Sequence, residues 1–175
     1  MYKYMSYIWL SIAVLFLQIF LLDNINLGAS IAIWMRPMLF PLIVLLLPTE
    51  WKTIWVILVA YAVGYTMDIA VGGEGLYVAT LLPIALIRPW LLYITTSRSM
   101  EGSGQKNLLS HLRPQQLMLY IGATLLVHHT LFFLMEALSL NNLMQIILTI
   151  IFSLALSLII GWLVVRIFIS KVLVR

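Results

Sequence analysis

Residues 117–138 read LMLYIGATLLVHHTLFFLMEAL, an apolar stretch of 22 residues with two adjacent histidines near its middle. The stretch carries no charged side chain before Glu136. A helix needs about 20 mainly apolar residues to cross roughly 30 Å of hydrocarbon. Residues 117–138 therefore predict a membrane-spanning helix. His128 and His129 would lie deep within this helix. Burying polar side chains at that depth costs free energy, so such residues usually have a structural or functional role.

The rest of the chain has the same apolar character. Of its 175 residues, 63% are hydrophobic and 9% are charged. Such a composition is typical of an integral membrane protein and excludes a soluble monomer. Four further apolar windows predict spanning helices, and these are residues 4–22, 51–71, 76–94 and 143–169.

A sixth span is predicted over residues 31–47, although its sequence is less regular. Arg36, Pro37 and Pro41 interrupt this apolar run, which ends at Pro48. Because proline favours the first turn of a helix, a short helix could begin at Pro37. A re-entrant or tilted helix is the alternative, since proline can also break a span.

Basic residues set the expected orientation, because Lys and Arg accumulate on the cytoplasmic side of a membrane. Six spans with a cytoplasmic N-terminus place nine of the ten basic residues inside and only Arg36 outside. Five spans with an external N-terminus give the same ratio, since Lys3 and Arg36 exchange sides. We prefer six spans, because Lys3 ahead of an apolar run is typical of a cytoplasmic start. Residues 1–175 are then one all-α domain, a six-helix transmembrane bundle with both termini and a flexible loop at residues 95–116 in the cytoplasm.

Composition also limits the classes of function. The net charge of +4 reflects membrane topology, so we expect contact with membrane lipid and no nucleic-acid partner. The absence of cysteine excludes disulfides and thiol chemistry. No small-residue cleavage site follows Leu22, so the first helix is expected to stay uncleaved. No protease or nucleophile-elbow motif is present, and we expect neither catalysis nor a cofactor.

Glycines are dense at the external end of the third span, where Gly72, Gly73 and Gly75 follow Asp68. Glycines allow positive backbone torsions and a tight reversal between two helices. Asp68 is then expected to cap this turn or the start of the next helix. A cation or substrate site at Asp68 and Glu74 is the alternative, although two carboxylates alone are a weak signal.

Two other polar residues lie within predicted spans. Gln18 is a lone amide deep in the first span, where such side chains hydrogen-bond across helices, so it marks a packed face. Arg88 lies near the cytoplasmic end of the fourth span, beside Pro89 and Trp90. We expect Arg88 to extend to the lipid headgroups as an interfacial anchor.

The histidine pair is open to a structural and a chemical interpretation. His128 and His129 point about 100° apart on a helix, so they are poor joint ligands for one metal ion. Glu136 lies about 10.5 Å further along the axis than His129, too far for a direct bond. Neutral histidines bonded to neighbouring helices are therefore favoured over a metal site or proton relay. Ionisable groups at membrane depth nevertheless remain functional candidates.

Several short runs occur in a characteristic order along the chain. They are residues 16–20 (FLQIF) followed by 24–27 (NINL), Pro37 with Pro48, Asp68 with the glycine turn to Leu76, Arg88 with Pro89, and residues 128–133 (HHTLFF) with 136–139 (EALS). In size, six-span pattern and the spacing of these runs, the chain resembles the MreD family of rod shape-determining membrane proteins over nearly its whole length. Tyr77 departs from the family pattern, in which histidine is frequent at that position.

The resemblance implies a non-catalytic component of the bacterial cell-wall elongation complex in the cytoplasmic (inner) membrane, which helps to maintain rod shape and organise peptidoglycan synthesis. It implies MreC as first partner and, directly or through MreC, the actin-like MreB, the glycosyltransferase RodA and a class B penicillin-binding transpeptidase. It also implies a fold similar to the six-helix substrate-binding subunits of energy-coupling-factor vitamin transporters.

Ten residues are candidates for packing or partner contact: Gln18, Pro37, Asp68, Gly72, Gly73, Gly75, Arg88, His128, His129 and Glu136. The alternative function is a substrate-binding subunit of a small-molecule transporter. In that case a vitamin-like ligand would lie in the external half of the bundle, near Asp68, Glu74 and Glu136.

Overall fold

The computed structural model of the protein describes residues 2–24, 34–97, 109, 112–138 and 142–168. The regular elements in these ranges are helices: α1 (Tyr2–Phe16, continued by π-helical turns over Leu17–Leu22), α2 (Pro41–Leu46), α3 (Thr53–Val71), α4 (Leu76–Thr96), α5 (Pro114–Ala137) and α6 (Leu143–Phe168). All of these except α2 are long and apolar enough to cross a membrane. The predictions of an all-α chain and of a multi-pass membrane protein are confirmed.

Some sequence predictions lie outside the described residues. They concern most of the cytoplasmic loop at residues 95–116, residues 25–27 of one MreD-like run, residues 31–33 of the second predicted span, and residue 169 of the last.

The short helix α2 lies at the centre of the bundle and contacts each of the five long helices. Around it, α3 packs against α4, α4 against α5, and α5 against α6. The π-helical end of α1 contacts α3. At the other end of α1, the ring of Tyr7 lies 5.5 Å from that of Phe168 in α6. The long helices therefore surround α2.

The second predicted span is not a continuous helix over its described part, residues 34–47, and its short helix begins at Pro41 rather than at Pro37. The chain is irregular until Phe40 and helical only over Pro41–Leu46. Proline explains the break, because it lacks an N–H donor and disfavours helical torsions in the residue before it. Irregular backbone at membrane depth is tolerated only inside protein. Every residue from 37 to 49 is indeed buried.

This broken segment, residues 36–47, still leads from one end of the bundle towards the other. Arg36 pairs with Glu136, at the C-terminal end of α5. Leu47 instead accepts a hydrogen bond from Arg88, in the second half of α4. Since the end of α4 adjoins the start of α5, the Arg88 contact lies further towards the end of the bundle at which α5 starts, and the chain continues towards that end into α3. The protein thus crosses the bundle six times with five long helices, and α1 begins at the same end at which α6 finishes.

Close packing of α3 against α4 depends on Gly64. A Cβ atom added to Gly64 would lie 2.8 Å from the Cα of Val78, a backbone atom that cannot move alone. Gly64→Ala is therefore expected to lower the free energy of unfolding by about 1 to 3 kcal/mol, as overpacking typically does. Thermal unfolding in detergent measures the effect.

Gly122 provides the matched control for this prediction. It also lies within a long helix, but a Cβ there would come no closer than 3.6 Å, to a Leu158 side-chain atom. Gly122→Ala should leave stability unchanged or raise it slightly through helix propensity. Equal effects of the two substitutions would contradict the tight contact.

Candidate functional site

The first part of the broken segment, residues 36–40, is not helical, and Gln18 of α1 supplies two of the hydrogen bonds that a helix would provide there. Its Oε1 accepts the backbone N–H of Leu39 at 2.7 Å. Its Nε2 donates to the carbonyl of Pro37 at 3.0 Å and to Oδ1 of Asp23, also at 3.0 Å. Only 1% of Gln18 is exposed. The amide therefore replaces the main-chain partners that residues 37–39 would have in a helix.

Asp23 completes this contact where α1 ends. Burial raises the pKa of the Asp23 carboxyl, while the hydrogen bond from Gln18 and the charge of Arg36 oppose that rise. The first predicted span is thus joined to the start of the second by an amide and a carboxylate.

From the opposite side, two serines of α6 hold the same segment. Ser153 Oγ accepts the backbone N–H of Arg36 at 2.9 Å, and Ser157 Oγ accepts that of Met38, also at 2.9 Å. Both serines are fully buried. Since they lie four residues apart, their hydroxyls lie on one face of α6. Gly161 continues that face, where a Cβ would approach Leu42 to 3.2 Å.

His129 connects this arrangement to α5. Its Nδ1 lies 2.8 Å from the carbonyl of Leu125, and its Nε2 lies 3.1 Å from Ser157 Oγ. A carbonyl only accepts, so Nδ1 carries the proton and Nε2 of the neutral ring accepts the hydroxyl of Ser157. Ser157 can then still accept the N–H of Met38. Both ring nitrogens are satisfied by positions within the bundle.

His128 is placed differently, although it is also fully buried. Its ring packs edge-on against Phe40 of the broken segment at 4.9 Å and lies 6.1 Å from Phe132. Neither ring nitrogen has a hydrogen-bond partner among the described residues. The two histidines therefore contact the broken segment by different means, one through a hydrogen-bonded serine and one through an aromatic ring.

Arg88 does not reach the lipid headgroups, so the expectation of an interfacial anchor is wrong. It is 2% exposed, and its guanidinium donates to the carbonyls of Leu45 and Leu47. These carbonyls end α2 and have no partner within that helix. A cation is also favoured at the negative end of a helix dipole. Arg88 therefore holds the second end of the broken segment, as Gln18 holds the first.

Asp68 caps the start of α4 with both carboxylate oxygens. Oδ1 accepts the backbone N–H groups of Gly75 and Tyr77, and Oδ2 accepts that of Val78, at 3.0 to 3.1 Å. Gly72 and Gly75 have positive φ angles of 76° and 92°. At Gly73 a Cβ would overlap the ring of Tyr77 and Asp68 Oδ1. The turn is thus a helix corner, as one of the two sequence interpretations expects.

Asp68→Ala is expected to lower the free energy of unfolding by about 1 to 2 kcal/mol, because a helix loses its cap and three N–H groups lose their acceptor. Asp68→Asn should cost less, since one acceptor oxygen remains. Glu74→Gln is the control in the same turn and should have little effect. Thermal unfolding of the three variants in detergent provides the comparison, and equal stability would argue against the cap.

An open cavity of about 310 Å³ lies beside Arg36 at the end of the bundle that holds the α3–α4 turn. It is lined by Arg36, Phe133, Glu136, Asn142, Gln145 and Thr149, among others. The Arg36 and Glu136 side chains form an ion pair but are 40% and 38% exposed. An ion pair this exposed contributes at most about 1 kcal/mol to stability. The cavity is accessible, and its lining combines polar with apolar side chains.

Comparison of the chain with protein-family models, curated protein sequences and solved structures finds no match. Within the described residues, no three side chains of the His, Asp and Glu types are grouped to hold a metal ion.

The ten candidate residues all belong to three local structures. Gln18, Pro37, Arg88, His128 and His129 contact or form the broken segment. Asp68 and its three glycines form the helix corner, and Glu136 lines the cavity. Ser153 and Ser157, which also hold the broken segment, are not among these ten residues. Their signal was the four-residue spacing of small side chains in the most apolar helix.

Proposed function

We propose that this protein is a non-catalytic component of the bacterial cell-wall elongation complex, of the MreD kind, and that it binds MreC through its membrane-facing helices. The observation that carries the proposal is how the buried polar side chains are used. Gln18, Ser153, Ser157 and Arg88 all bond to the backbone of the protein's own broken segment. These groups support a scaffold rather than a reaction centre.

The resemblance to MreD gains support from the positions of its characteristic residues. Gln18, Pro37, Arg88 and His129 are distant in sequence, yet they meet around one segment. Short apolar runs can resemble one another by chance, but here their polar members are all directed at one buried segment. Six crossings built from five long helices and one broken segment are also compatible with the proposed likeness to vitamin-transporter subunits.

Charge supports the proposed orientation in the bacterial cytoplasmic membrane. Lys52, Arg113 and Arg166 lie at the end of the bundle where α3 and α5 begin and α6 finishes. Arg36 is the basic residue near the opposite end of the described structure. Under the positive-inside rule the first end is cytoplasmic. Both termini are then proposed to lie in the cytoplasm.

The outward faces of the long helices are the proposed contact surface. On α1, apolar side chains recur every three or four residues and are at least half exposed, and these are Met5, Ile8, Trp9, Ile12, Phe16 and Phe20. In lipid, helices associate through close packing and occasional polar contacts rather than through the hydrophobic effect. A single-span partner such as MreC can pack against faces of this type.

Co-purification tests the proposal. The tagged protein is co-expressed with MreC, RodA and the transpeptidase, extracted in mild detergent, and captured. We expect MreC to be captured, and RodA and the transpeptidase to be captured more strongly when MreC is present. A tagged six-span protein of unrelated function is the control. Absence of MreC from the captured material, under conditions in which MreC still binds RodA or the transpeptidase, would refute the proposal.

The cavity at Arg36 and Glu136 favours a second candidate, a subunit that binds a vitamin-like small molecule. Its volume of about 310 Å³ is at the lower limit for ligand sites. Of the acidic residues first considered for that role, Glu136 lines the cavity, whereas Asp68 caps α4. A thermal-shift screen of vitamins against the purified protein is the test. A ligand whose stabilisation is lost in Glu136→Gln would favour this candidate.

A further inference from the structure

The open cavity beside Arg36 is bounded by three separate parts of the chain. Arg36 comes from the start of the broken segment. The last turn of α5 contributes Glu136 and Ala137, and the first turn of α6 contributes Gln145, with Asn142 just before it. Because these parts approach from different directions, the cavity is bounded on several sides rather than formed by the face of one helix.

The cavity has a positive and a negative wall. A helix is partially positive at its N-terminal end and partially negative at its C-terminal end. The start of α6 therefore adds positive potential to that of the Arg36 guanidinium, whereas the end of α5 adds negative potential to that of the Glu136 carboxylate. A ligand with a single charge would be attracted by one wall and repelled by the other.

The ion pair between Arg36 and Glu136 leaves part of each group available to a ligand. Arg36 donates to Glu136 through Nη1, and Tyr77 also lies beside the guanidinium. A guanidinium carries five N–H donors, so these contacts do not use all of them. Glu136 accepts with Oε1, and its Oε2 has no partner among the described residues. Since about two fifths of each side chain is exposed and both line the cavity, the remaining donors and acceptor are accessible.

We propose that this cavity binds a zwitterionic α-amino acid with an apolar side chain of moderate size. The ligand's carboxylate accepts from Arg36 near the start of α6, and its ammonium group donates to Oε2 of Glu136. Its side chain packs against the apolar part of the lining, which is formed by Phe133, Ala137 and Ile146. Both charges of such a ligand are carried by groups on one carbon atom, so they match two charged groups that are themselves in contact.

Charge complementarity selects this class of ligand over related ones. An anion without an amine would face the Glu136 carboxylate, and an amine without a carboxylate would face the Arg36 guanidinium. An uncharged ligand would displace water from both charged groups without replacing its contacts. The site rests on the second candidate function, a small-molecule subunit, and does not require binding to MreC.

Leucine and two of its derivatives test the site in the purified protein. Leucinamide has the ammonium group without the carboxylate, and N-acetylleucine has the carboxylate without the ammonium group. Isothermal titration calorimetry in detergent compares the three compounds. We expect leucine to bind, and each derivative to bind at least about tenfold more weakly, since each loses a hydrogen bond between charged groups. Equal binding of the three compounds, or no binding of leucine, would overturn the proposal.

Substitutions assign each charge of the ligand to its wall of the cavity. Glu136→Gln should remove the preference for leucine over N-acetylleucine, and Arg36→Gln should remove the preference for leucine over leucinamide. Glu74→Gln is the matched control, because Glu74 is an exposed carboxylate at the same end of the bundle that does not line the cavity. The same loss of leucine binding in Glu74→Gln and Glu136→Gln would show a general effect of charge and overturn the site.

The vitamin screen and the leucine titration can fail separately. If a vitamin stabilises the protein through Glu136 and leucine does not bind, the proposed ligand class is wrong and the small-molecule candidate stands. If leucine binds with the expected preferences and no vitamin does, the amino-acid site is supported. If neither binds, both the site and the small-molecule candidate are refuted, whereas capture of MreC is a separate result.

Discussion

Replacing Gln18 with leucine is expected to lower the free energy of unfolding by about 2 to 5 kcal/mol. The substitution leaves the N–H of Leu39 and the carbonyl of Pro37 without partners at buried positions. Each orphaned buried group costs about 1 to 3 kcal/mol. Side-chain hydrogen bonds between regular membrane helices contribute less on average, because these side chains also find partners in the unfolded chain within the membrane. The N–H of Leu39 and the carbonyl of Pro37 have no helical bond to compensate.

Two further substitutions make the Gln18 experiment decisive. Gln115→Leu removes an exposed amide near the start of α5 and should change stability by no more than about 0.5 kcal/mol. Gln18→Glu retains an acceptor for Leu39 but loses the donor to Pro37 and adds charge beside Asp23, so it should also destabilise. Unfolding is followed by tryptophan fluorescence and by size-exclusion chromatography after heating. Equal stability of Gln18→Leu and Gln115→Leu would contradict the role of Gln18.

The long helices could be predicted from the sequence because spanning length and apolar composition are local properties. Residues 76–94 and 143–169 were expected to be helical, and α4 and α6 occupy Leu76–Thr96 and Leu143–Phe168. The cap formed by Asp68 is also local, since its partners lie within ten residues. Glycine spacing and one carboxylate were sufficient to favour a helix corner there.

The broken segment could not be predicted in the same way, because its stability depends on distant partners. Ser153 and Ser157 lie more than 110 residues from the N–H groups that they accept. Proline made a break in the second span conceivable, but only the surrounding helices decide whether irregular backbone is buried and satisfied. Short hydroxyl side chains are also common in apolar helices, so these two serines did not stand out.

The environment of Arg88 also depends on distant partners and could not be predicted from its neighbours in sequence. Beside Trp90 and near a helix end, an arginine is usually interfacial. Its carbonyl partners, at Leu45 and Leu47, lie more than 40 residues earlier in the chain. A local pattern therefore favoured the wrong environment. The sequence suggested that Arg88 is an anchor in the lipid headgroups. Its side chain is instead among the largest fully buried side chains of the protein.

Replacing Arg88 with alanine is expected to lower the free energy of unfolding by about 3 kcal/mol or more. The change removes the donor to two carbonyls at the end of α2 and leaves a cavity in the bundle, and each effect alone typically costs 1 to several kcal/mol. Arg166→Ala, at an exposed position of α6, should cost much less. Thermal unfolding in detergent and the yield of folded protein measure both.

Arg88→Lys distinguishes the buried role of Arg88 from an interfacial one. An anchor in the headgroups needs only a long basic side chain, so lysine would replace arginine without loss. The buried guanidinium instead reaches the carbonyls of Leu45 and Leu47 from a fixed planar group, which a lysine ammonium does not reproduce. We therefore expect Arg88→Lys to be clearly destabilised, although less than Arg88→Ala. If Arg88→Lys were as stable as the original protein, the result would support an interfacial role for Arg88 and contradict its role as the cap at the second end of the broken segment.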